Sequence, residues 1–316
     1  MRIVIPGGTG HVGRMLRPQF AAARHDVVVL SRNPQGSDEI QWDGKTVGPW
    51  ADAFEGVDAV INLAGRSVNC RYTEANLREM MDSRVVSTRV VGQAISGCKR
   101  PPRVWLQAST ATIYAHRFDA ANDEATGILG GNETGSAQKW NHSTDIAKAW
   151  EREQDRADTP NTRKVAMRTA IAMGVVRGSA FDLMAGLAQR GLGGAVAGGK
   201  QFVSWVHETD LARAILFLID HSALAGHVNI ASPNPLPNRE FARALRQAVG
   251  AKAGLPATRW MLELAAVFMK TEGELMLKSR RVVPTRLLTA GFRFEYPEWP
   301  GASAELALRW RAMLRR

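Results

Sequence analysis

The sequence is poor in cysteine, has few tyrosines and contains no long apolar run. Its two cysteines, Cys70 and Cys98, are too few for a disulfide framework and show no metal-ligand spacing, so we expect a reducing compartment and no metal site. The apolar run at 3–5 is too short for the core of a signal peptide. These absences exclude a disulfide-stapled scaffold and favour a cytoplasmic protein.

The most apolar later stretch, residues 255–269, does not predict a membrane span. It carries Arg259 and Glu263 and falls short of the roughly 18 uninterrupted apolar residues that a spanning helix needs. Its apolar residues recur at helical spacing, which predicts an amphipathic helix with one buried face. That face is predicted to contain Met261, Leu264, Ala265 and Phe268. We therefore expect no membrane partner.

No long run of like charge accompanies the formal net charge of +11. Lysine and arginine are spread along the whole chain, and the aromatic and basic motif of an RNA-binding sheet is absent. We therefore expect a solvated basic surface and no nucleic-acid partner. The same charge would also favour acidic substrates or the phosphates of a cofactor.

Short β-branched runs alternate with segments of helical spacing over the first 110 residues, which is the pattern of βαβ units. The predicted strands are Arg2–Pro6, Asp26–Leu30, Asp58–Leu63, Val104–Ala108 and Lys164–Thr169. This pattern predicts the α/β class with a doubly wound parallel sheet. Because glycines cluster beyond residue 178, we divide the chain into a nucleotide-binding domain, 1–178, and a smaller C-terminal α/β substrate lobe, 179–316. The second lobe can return strands or helices to the first.

Two helix starts are predicted in the second lobe. Thr209 is expected to cap one helix, with Asp210 in its first turn, and Asn238 is expected to cap the next. His207 lies where a predicted strand enters the first of these helices. We interpret it as a structural hydrogen-bonding residue rather than a general base.

A glycine-rich turn lies directly between the first predicted strand and a predicted helix. Gly7 permits the tight turn, and Gly10 lets the backbone approach a pyrophosphate without a Cβ in the way. Gly13 lets the helix pack close to the strand. The amides and the partial positive charge at the start of the helix then hold the phosphates. The turn therefore predicts a dinucleotide site.

The end of the second predicted strand favours NADP(H) over NAD(H). About 20 residues after the glycine turn, an acidic side chain would hold the ribose 2′-hydroxyl of NAD, but Ser31 and Arg32 stand there instead. A guanidinium offers bidentate hydrogen bonds to the 2′-phosphate of NADP, and the serine adds a hydroxyl donor. The alternative is an ordinary exposed arginine in a turn.

These motifs resemble an atypical, extended short-chain dehydrogenase/reductase. Within that superfamily the chain is similar to uncharacterised NAD-dependent epimerase/dehydratase-like proteins that carry a C-terminal domain of unknown function. The matching segments include Gly7–Gly13, Ser31-Arg32, Asn62–Gly65, Ser83-Arg84 with Thr88, Trp150-Glu151, Gly191–Gly194, Gly199–Gln201, Ser204–His207 with Asp210, and Val283-Pro284 with Gly291-Phe292. They are spread over nearly the whole chain.

The resemblance implies a Rossmann-type lobe, NADP(H) as cofactor, and contacts from residues beyond the glycine turn. Together with the turn, the predicted cofactor-binding residues are Gly7, Thr9, Gly10, His11, Val12, Gly13, Ser31, Arg32, Leu63, Ala64, Gly65, Glu79, Arg84 and Ala108.

The sequence lacks the Tyr-x-x-x-Lys pair with which dehydrogenases of this superfamily move a proton. Its tyrosines are Tyr72, Tyr114 and Tyr296, and none has a lysine four residues later. When the chain is aligned with the family at Glu151, Ser143 occupies the position of the tyrosine and Ala147 that of the lysine. Any chemistry must therefore use another acid or base.

Two residues are candidates for that role. Ser109 matches the active-site serine or threonine of the superfamily and could bond a substrate carbonyl, and Tyr114 is the nearest phenol in sequence. Both have a structural alternative, a turn-capping serine and a packed tyrosine. Further polar residues lie on the segment that faces the cofactor in relatives, namely Lys139, His142, Asp145 and Lys148.

The sequence thus predicts an NADP(H)-dependent oxidoreductase or epimerase-like enzyme, monomeric or homodimeric, acting on a small carbonyl or hydroxyl compound between two lobes. The missing pair leaves an alternative, a catalytically silent dinucleotide-binding sensor or interaction protein.

Overall fold

The computed structural model describes residues 1–131, 140–258 and 274–315. A seven-stranded sheet, with every neighbouring pair of strands parallel, forms its centre in the order β10-β6-β5-β4-β1-β2-β3. These strands are β1 Arg2–Pro6, β2 Asp26–Ser31, β3 Glu39–Gln41, β4 Ala59–Asn62, β5 Val104–Thr110, β6 Arg163–Thr169 and β10 Gly226–Ile230. The predicted α/β class with a Rossmann-type parallel sheet is therefore confirmed.

Four short strands lie outside the central sheet and form two small pairs. They are β7 Ile171–Met173, β8 Phe202–Val203, β9 Trp205–His207 and β11 Leu236–Pro237, with β7 beside β9 and β8 beside β11. The helices are α1 His11–Ala22, α2 Glu74–Ser96, α3 Asn141–Arg156, α4 Ala180–Gln189, α5 Glu208–Asp220, α6 Asn238–Val249, α7 Glu274–Leu277, α8 Thr285–Thr289 and α9 Trp299–Leu314, with 3-10 turns at Pro49–Phe54 and Ala111–Ile113.

Helices cover both faces of the central sheet. Alternate residues of a strand point to opposite faces, so Ile3 and Ile5 pack with α1 and α5 while Val4 packs with α2. The first core includes Leu16 from α1 and Ile215 from α5. A sheet buried on both faces explains why its strands read as continuous apolar runs.

A separate aromatic core, which we call the third core, forms among α4, α6 and α9, apart from the two cores on the faces of the central sheet. Phe241 stacks on Trp299 with ring centroids 4.1 Å apart, and Trp205 lies 4.9 Å from the same indole. Strand β10, in contrast, extends the central sheet from the C-terminal half of the chain. Residues beyond 178 are therefore shared between the sheet and this third core, and the domain boundary at 178 stays a prediction.

Both predicted helix caps in the second lobe are wrong. Helix α5 begins at Glu208, and its cap is His207, whose Nδ1 accepts the amide of Thr209 at 3.1 Å. The other ring nitrogen of His207 lies 3.0 Å from the Glu305 carboxylate, which gives the buried imidazole the structural bonds expected of it. Helix α6 begins at Asn238, whose side chain is turned to accept the amide of Val196 instead.

The amphipathic helix predicted at 255–269 can be compared with the structure only at its start. Residues 255–258 are not helical, and Ala257 forms a bridge to Val196. The remainder of that prediction, including its apolar face, lies outside the described residues. Across the described ranges, no helix combines the length and apolarity needed to span a membrane.

Candidate functional site

The strand order creates a crevice at the carboxyl ends of β1 and β4. The chain leaves β1 toward β2 and β3, then returns to the other side of β1 at β4. Open α/β sheets bind ligands outside the strand ends at such a reversal. The glycine turn follows β1, and Leu63–Gly65 follow β4. Two predicted segments therefore face the same crevice.

The glycine turn is packed against the end of β4. Gly7 has φ +76°, and a Cβ there would lie 2.8 Å from the backbone of Ala64. A Cβ on Gly13 would lie 2.1 Å from the carbonyl oxygen of Gly8. A Cβ on Gly10 would make an ordinary 3.4 Å contact, so close packing inside the protein does not demand this glycine. Gly10 instead keeps the crevice side of the turn open.

Helix α1 begins at this turn without a side-chain cap. Its N-cap residue is Gly10, and no acidic residue stands in the first turn. Thr9 and His11 are exposed on either side, while Val12 is half-buried. Burial and the charge of Arg14 lower the pKa of His11. The first-turn amides are thus left for a ligand or water, which is the arrangement that binds anions.

Ser31 and Arg32 end β2 beside the crevice. Ser31 is buried and its hydroxyl accepts the amide of Asn33 at 3.3 Å, whereas Arg32 is exposed. Within the described ranges, no carboxylate forms an ion pair with Arg32. The guanidinium is therefore available to an anionic group at this edge.

Arg84 from α2 is a buried cation at the end of β4. Its guanidinium donates to the carbonyl oxygens of Met80 at 2.9 Å and Arg66 at 3.0 Å, and it lies 5.0 Å from the Trp150 ring centroid. A Cβ built on Gly65 would touch this side chain at 3.3 Å. Burial lowers the pKa of Arg84 to about 10. In the part of the chain that the structure describes, no carboxylate pairs with it, and its charge is met by two peptide carbonyls and the Trp150 ring.

The other residues implied by the resemblance are divided. Leu63 donates its amide to Pro6 O at 2.8 Å, which ties the end of β4 to the glycine turn, and Ala64 packs under Gly7. Ala108 is half-buried on β5, the neighbouring strand. Glu79, by contrast, is exposed and ion-paired with Arg66. The structure therefore brings Leu63, Ala64 and Arg84 together and turns the Glu79 carboxylate toward a basic neighbour.

The two candidate catalytic residues both belong to one buried polar cluster, which we call the inner network. Ser109 Oγ donates to Glu151 at 2.6 Å, and Arg168 donates to the same carboxylate at 2.8 and 2.9 Å. The Tyr114 hydroxyl accepts from Arg168 at 3.0 Å and donates to Asn229 Oδ1 at 2.9 Å. Both hydroxyls therefore already have protein partners, and a catalytic role for them stays a prediction.

Glu151 is the centre of the inner network. Burial opposes ionisation of its carboxyl, but hydrogen bonds from Arg168 and His227 outweigh burial and hold its pKa at about 2. His227 Nε2 lies 3.1 Å from the carboxylate. Burial raises the pKa of Tyr114, against the pull of Arg168. At neutral pH the network is therefore an ionised pair with a protonated phenol beside it.

A second polar cluster, the outer cluster, was not predicted from the sequence. It comprises Tyr72, Ser143, Glu274 and Lys278. Ser143 occupies the superfamily's tyrosine position, and its hydroxyl lies 2.6 Å from Glu274 Oε2 and 3.4 Å from the Tyr72 hydroxyl. Burial and the charge of Glu274 raise the pKa of Tyr72 to about 12. The phenol is therefore protonated at neutral pH.

Lys278 anchors the outer cluster from the C-terminal segment. Its buried ammonium donates to Thr112 O at 2.9 Å and to Thr144 Oγ1 at 3.3 Å, and it lies 4.0 Å from Glu274 Oε1. These contacts join the turn after β5, the start of α3 and the short helix α7. The charged residues foreseen on α3 lie elsewhere: His142 and Asp145 are exposed, Lys148 donates to a backbone carbonyl, and Lys139 lies outside the described residues.

Within the described ranges, no group of three or more histidine, cysteine, aspartate or glutamate side chains is placed to hold a metal ion.

Comparisons with known proteins agree with this geometry. The NAD dependent epimerase/dehydratase family model matches residues 3–231, and a domain of unknown function, DUF1731, matches residues 257–306. Epimerase family protein SDR39U1 of Bos taurus is 31% identical over 97% of this chain and 99% of the relative. Epimerase family protein YfhF of Bacillus subtilis is 28% identical over 97% and 98%. A crystal structure of human SDR39U1, isoform 2, with NADPH has a TM-score of 0.85 at 29% identity and covers 98% of this chain and 99% of that one.

Proposed function

The chain belongs to the NAD dependent epimerase/dehydratase family, and from that premise we propose that it is an NADP(H)-dependent oxidoreductase or epimerase-like enzyme acting on a small carbonyl or hydroxyl compound. The observation that carries this proposal is the uncapped start of α1, set against the end of β4 at the crevice of the sheet. The NADPH in the crystal structure of human SDR39U1 supports the choice of cofactor.

The residues of the crevice fit the successive parts of NADP(H). The pyrophosphate binds the first-turn amides between Gly10 and Gly13, which no side chain of the described residues caps. The adenosine 2′-phosphate binds Ser31 and Arg32, which stand at the end of β2 where an acidic side chain would repel that phosphate. The bound cofactor supplies the hydride-transfer chemistry.

The end of β4 lines the remaining length of the cofactor. Leu63, Ala64 and Gly65 form a close-packed floor for the riboses, and Ala108 extends that floor on the next strand. Arg84 adds a buried positive charge directly beside Gly65. Glu79, near the start of α2, forms an ion pair with Arg66 and so holds that side chain beside the cofactor site.

Cofactor choice is tested by Arg32→Ala. Removing the guanidinium takes bidentate, charge-assisted hydrogen bonds from the 2′-phosphate, so we expect the Kd for NADPH to rise by about 10- to 100-fold. The Kd for NADH, which lacks that phosphate, is expected to stay within about twofold. Quenching of protein fluorescence or titration calorimetry measures both constants.

Arg243→Ala provides the matched control, because Arg243 is an exposed arginine on α6, a helix outside the cofactor crevice. It removes the same net charge and should leave both affinities unchanged. Equal losses of NADPH and NADH affinity in Arg32→Ala would contradict the 2′-phosphate contact.

The enzymatic proposal itself is tested by turnover. NADPH oxidation is followed at 340 nm with aldehydes, ketones and nucleotide sugars, and NADP⁺ reduction with the corresponding alcohols. We expect turnover with at least one small carbonyl or hydroxyl compound. A protein that binds NADPH tightly but catalyses neither direction would instead be a dinucleotide-binding sensor.

A further inference from the structure

We propose that Tyr72, Ser143 and Glu274 form a proton relay that replaces the missing Tyr-x-x-x-Lys pair and serves the interconversion of a secondary alcohol and its ketone. This inference rests on the proposed oxidoreductase function and deepens it. No motif in the sequence joins these residues, since the first two are separated by 71 positions and the last two by 131.

The contacts fix the direction of the relay. A carboxylate can only accept hydrogen bonds, so the single proton of the Ser143 hydroxyl points to Glu274 Oε2 at 2.6 Å. The Tyr72 hydroxyl lies 3.4 Å from the Ser143 oxygen, and either hydroxyl of this pair can donate to the other. With the Ser143 proton directed to Glu274, the phenol is the one left to donate. The order of donation therefore runs from the phenol to the serine and from the serine to the carboxylate.

The inner end of the relay is held by a fixed positive charge. Lys278, the residue after α7, stands 4.0 Å from Glu274, and its ammonium is itself anchored on Thr112 and Thr144. A cation at this distance favours the carboxylate form, which is the form that can accept a proton. The buried Arg280 guanidinium adds a second positive charge that interacts with Glu274 and with Tyr72. Glu274 is thus placed as the terminal base.

The outer end of the relay lies beside the cofactor crevice. Tyr72 follows β4 in the chain and interacts electrostatically with Arg84. Arg84 in turn packs on Gly65, at the end of that strand. Only part of the Tyr72 side chain is covered, whereas Glu274 and Lys278 are fully buried. The phenol is therefore the member of the relay that a substrate can reach.

The reaction balances with NADP⁺ as the oxidant. The alcohol carbon gives its hydride to the nicotinamide, and the alcohol oxygen gives its proton to the Tyr72 oxygen. The Tyr72 proton passes to Ser143, and the Ser143 proton passes to Glu274, which becomes a neutral acid. In the reverse direction the protonated Glu274 resupplies the same chain, and the ketone oxygen receives the Tyr72 proton as the hydride leaves NADPH.

The test uses the full chain with NADP⁺ and 2-butanol, cyclohexanol and 1-phenylethanol, and with NADPH and the matching ketones. Tyr72→Phe, Ser143→Ala and Glu274→Gln should each lower kcat by about 10²- to 10⁴-fold, the range for a lost acid or base. Ser143→Thr keeps the hydroxyl and should restore kcat to within about 10-fold of the native chain. The Kd for NADPH should stay within about twofold in all four variants.

A structural role would not reproduce the expected pH behaviour. Alcohol oxidation needs ionised Glu274, so its rate in the native chain should rise with pH through the titration of that carboxyl, and Glu274→Gln should abolish this limb. Ultraviolet titration of the Tyr72 phenol, isolated by subtracting Tyr72→Phe, gives a readout without turnover. Because the Glu274 charge helps to raise the pKa of Tyr72 to about 12, Glu274→Gln should lower the pKa of this phenol. Tyr296→Phe is the control. It deletes a phenol that packs against the aromatic core of α4, α6 and α9 rather than one in the outer cluster, so it should keep the native kcat.

The outcomes separate the two proposals. If the native chain turns over and the three variants keep its kcat, the relay is wrong and the oxidoreductase proposal stands. If the native chain turns over aldehydes or nucleotide sugars but no secondary alcohol or ketone, the relay is wrong and the oxidoreductase proposal stands. If it binds NADPH but turns over no compound of either panel, both are wrong. If a variant loses activity but the pKa of Tyr72 does not respond to Glu274→Gln, the relay is also overturned.

Discussion

Helix α3 contributes to two polar clusters that are built from the same residue types but differ in their surroundings. Ser143, in its first turn, belongs to the outer cluster, and Glu151, about two turns later, belongs to the inner network. Each cluster contains a tyrosine, a serine, a glutamate and a cation. In the inner network all four are buried, and the hydroxyls and charges have partners within it. In the outer cluster the tyrosine remains partly accessible.

From this difference we expect burial, rather than residue type, to separate a structural hydroxyl from one that a substrate can reach. Ser109 and Tyr114 have the positions expected for chemistry in the sequence, yet their hydroxyl groups bond to Glu151, Arg168 and Asn229. The Ser109 and Tyr114 hydroxyls each have one proton, already donated to Glu151 or Asn229, and must give up that bond before they can donate to a substrate. The Tyr72 side chain in the outer cluster is, in contrast, only partly covered.

The largest effect should come from removing the centre of the inner network. Glu151→Ala leaves the Arg168 guanidinium buried without its carboxylate, which we expect to cost about 3–5 kcal/mol in the free energy of unfolding. Ser143→Ala, at the half-buried start of the same helix, should cost roughly 1 kcal/mol. Urea denaturation followed by circular dichroism measures both values.

The double variant Glu151→Gln with Arg168→Met sharpens this contrast. Because it removes both charges together, it should recover part of the stability that Glu151→Ala loses. Equal destabilisation by Glu151→Ala and Ser143→Ala would contradict the distinction between an inner structural network and an outer reactive cluster.

The inner network should also make stability depend on acid. The pKa of Glu151 is about 2 in the folded chain and 4.5 in an unfolded one, so its contribution is complete above pH 4.5 and is lost as the pH falls toward 2. The difference corresponds to about 3 kcal/mol. Urea midpoints at pH 7, 5 and 3 measure it, with Glu151→Gln as the reference that lacks this carboxyl. If the native chain and Glu151→Gln lost stability in parallel between pH 5 and 3, the network would not hold Glu151 ionised.

The crevice was predictable because its signals are local. The turn from Gly7 to Gly13 is continuous in sequence, and the glycines at its two ends avoid the clashes that the structure reveals. The parallel strands follow from apolar runs, and four of the five predicted strands are within one residue of the observed bounds at each end. Ser31 and Arg32 stand at a fixed spacing after the turn.

The outer cluster was not predictable because its members meet only through tertiary packing. Tyr72 comes from the segment after β4, Ser143 from α3 and Glu274 from α7, and no spacing rule joins them. The one local signal is the four-residue spacing of Glu274 and Lys278, which usually marks a solvated ion pair on a helix. Here the pair is buried, which the sequence alone does not reveal.

A smaller effect than that of Glu151→Ala is expected from Tyr114→Phe, and it bears most directly on the comparison. The variant removes one hydroxyl that accepts from Arg168 and donates to Asn229, while the ring keeps its place in the core. Arg168 keeps both hydrogen bonds to Glu151, so the loss in unfolding free energy should be about 1–2 kcal/mol.

If the inner network is structural, Tyr114→Phe should keep kcat for the alcohol and ketone probes within about threefold at 20 °C, where the variant remains folded. Tyr72→Phe, which removes the same group from the outer cluster, should lose kcat with little change in stability. The reverse pattern, with kcat lost in Tyr114→Phe and retained in Tyr72→Phe, would make Tyr114 the proton carrier. The chemistry would then belong to the inner network, because the phenol whose removal lowers kcat is the one that exchanges a proton with the substrate.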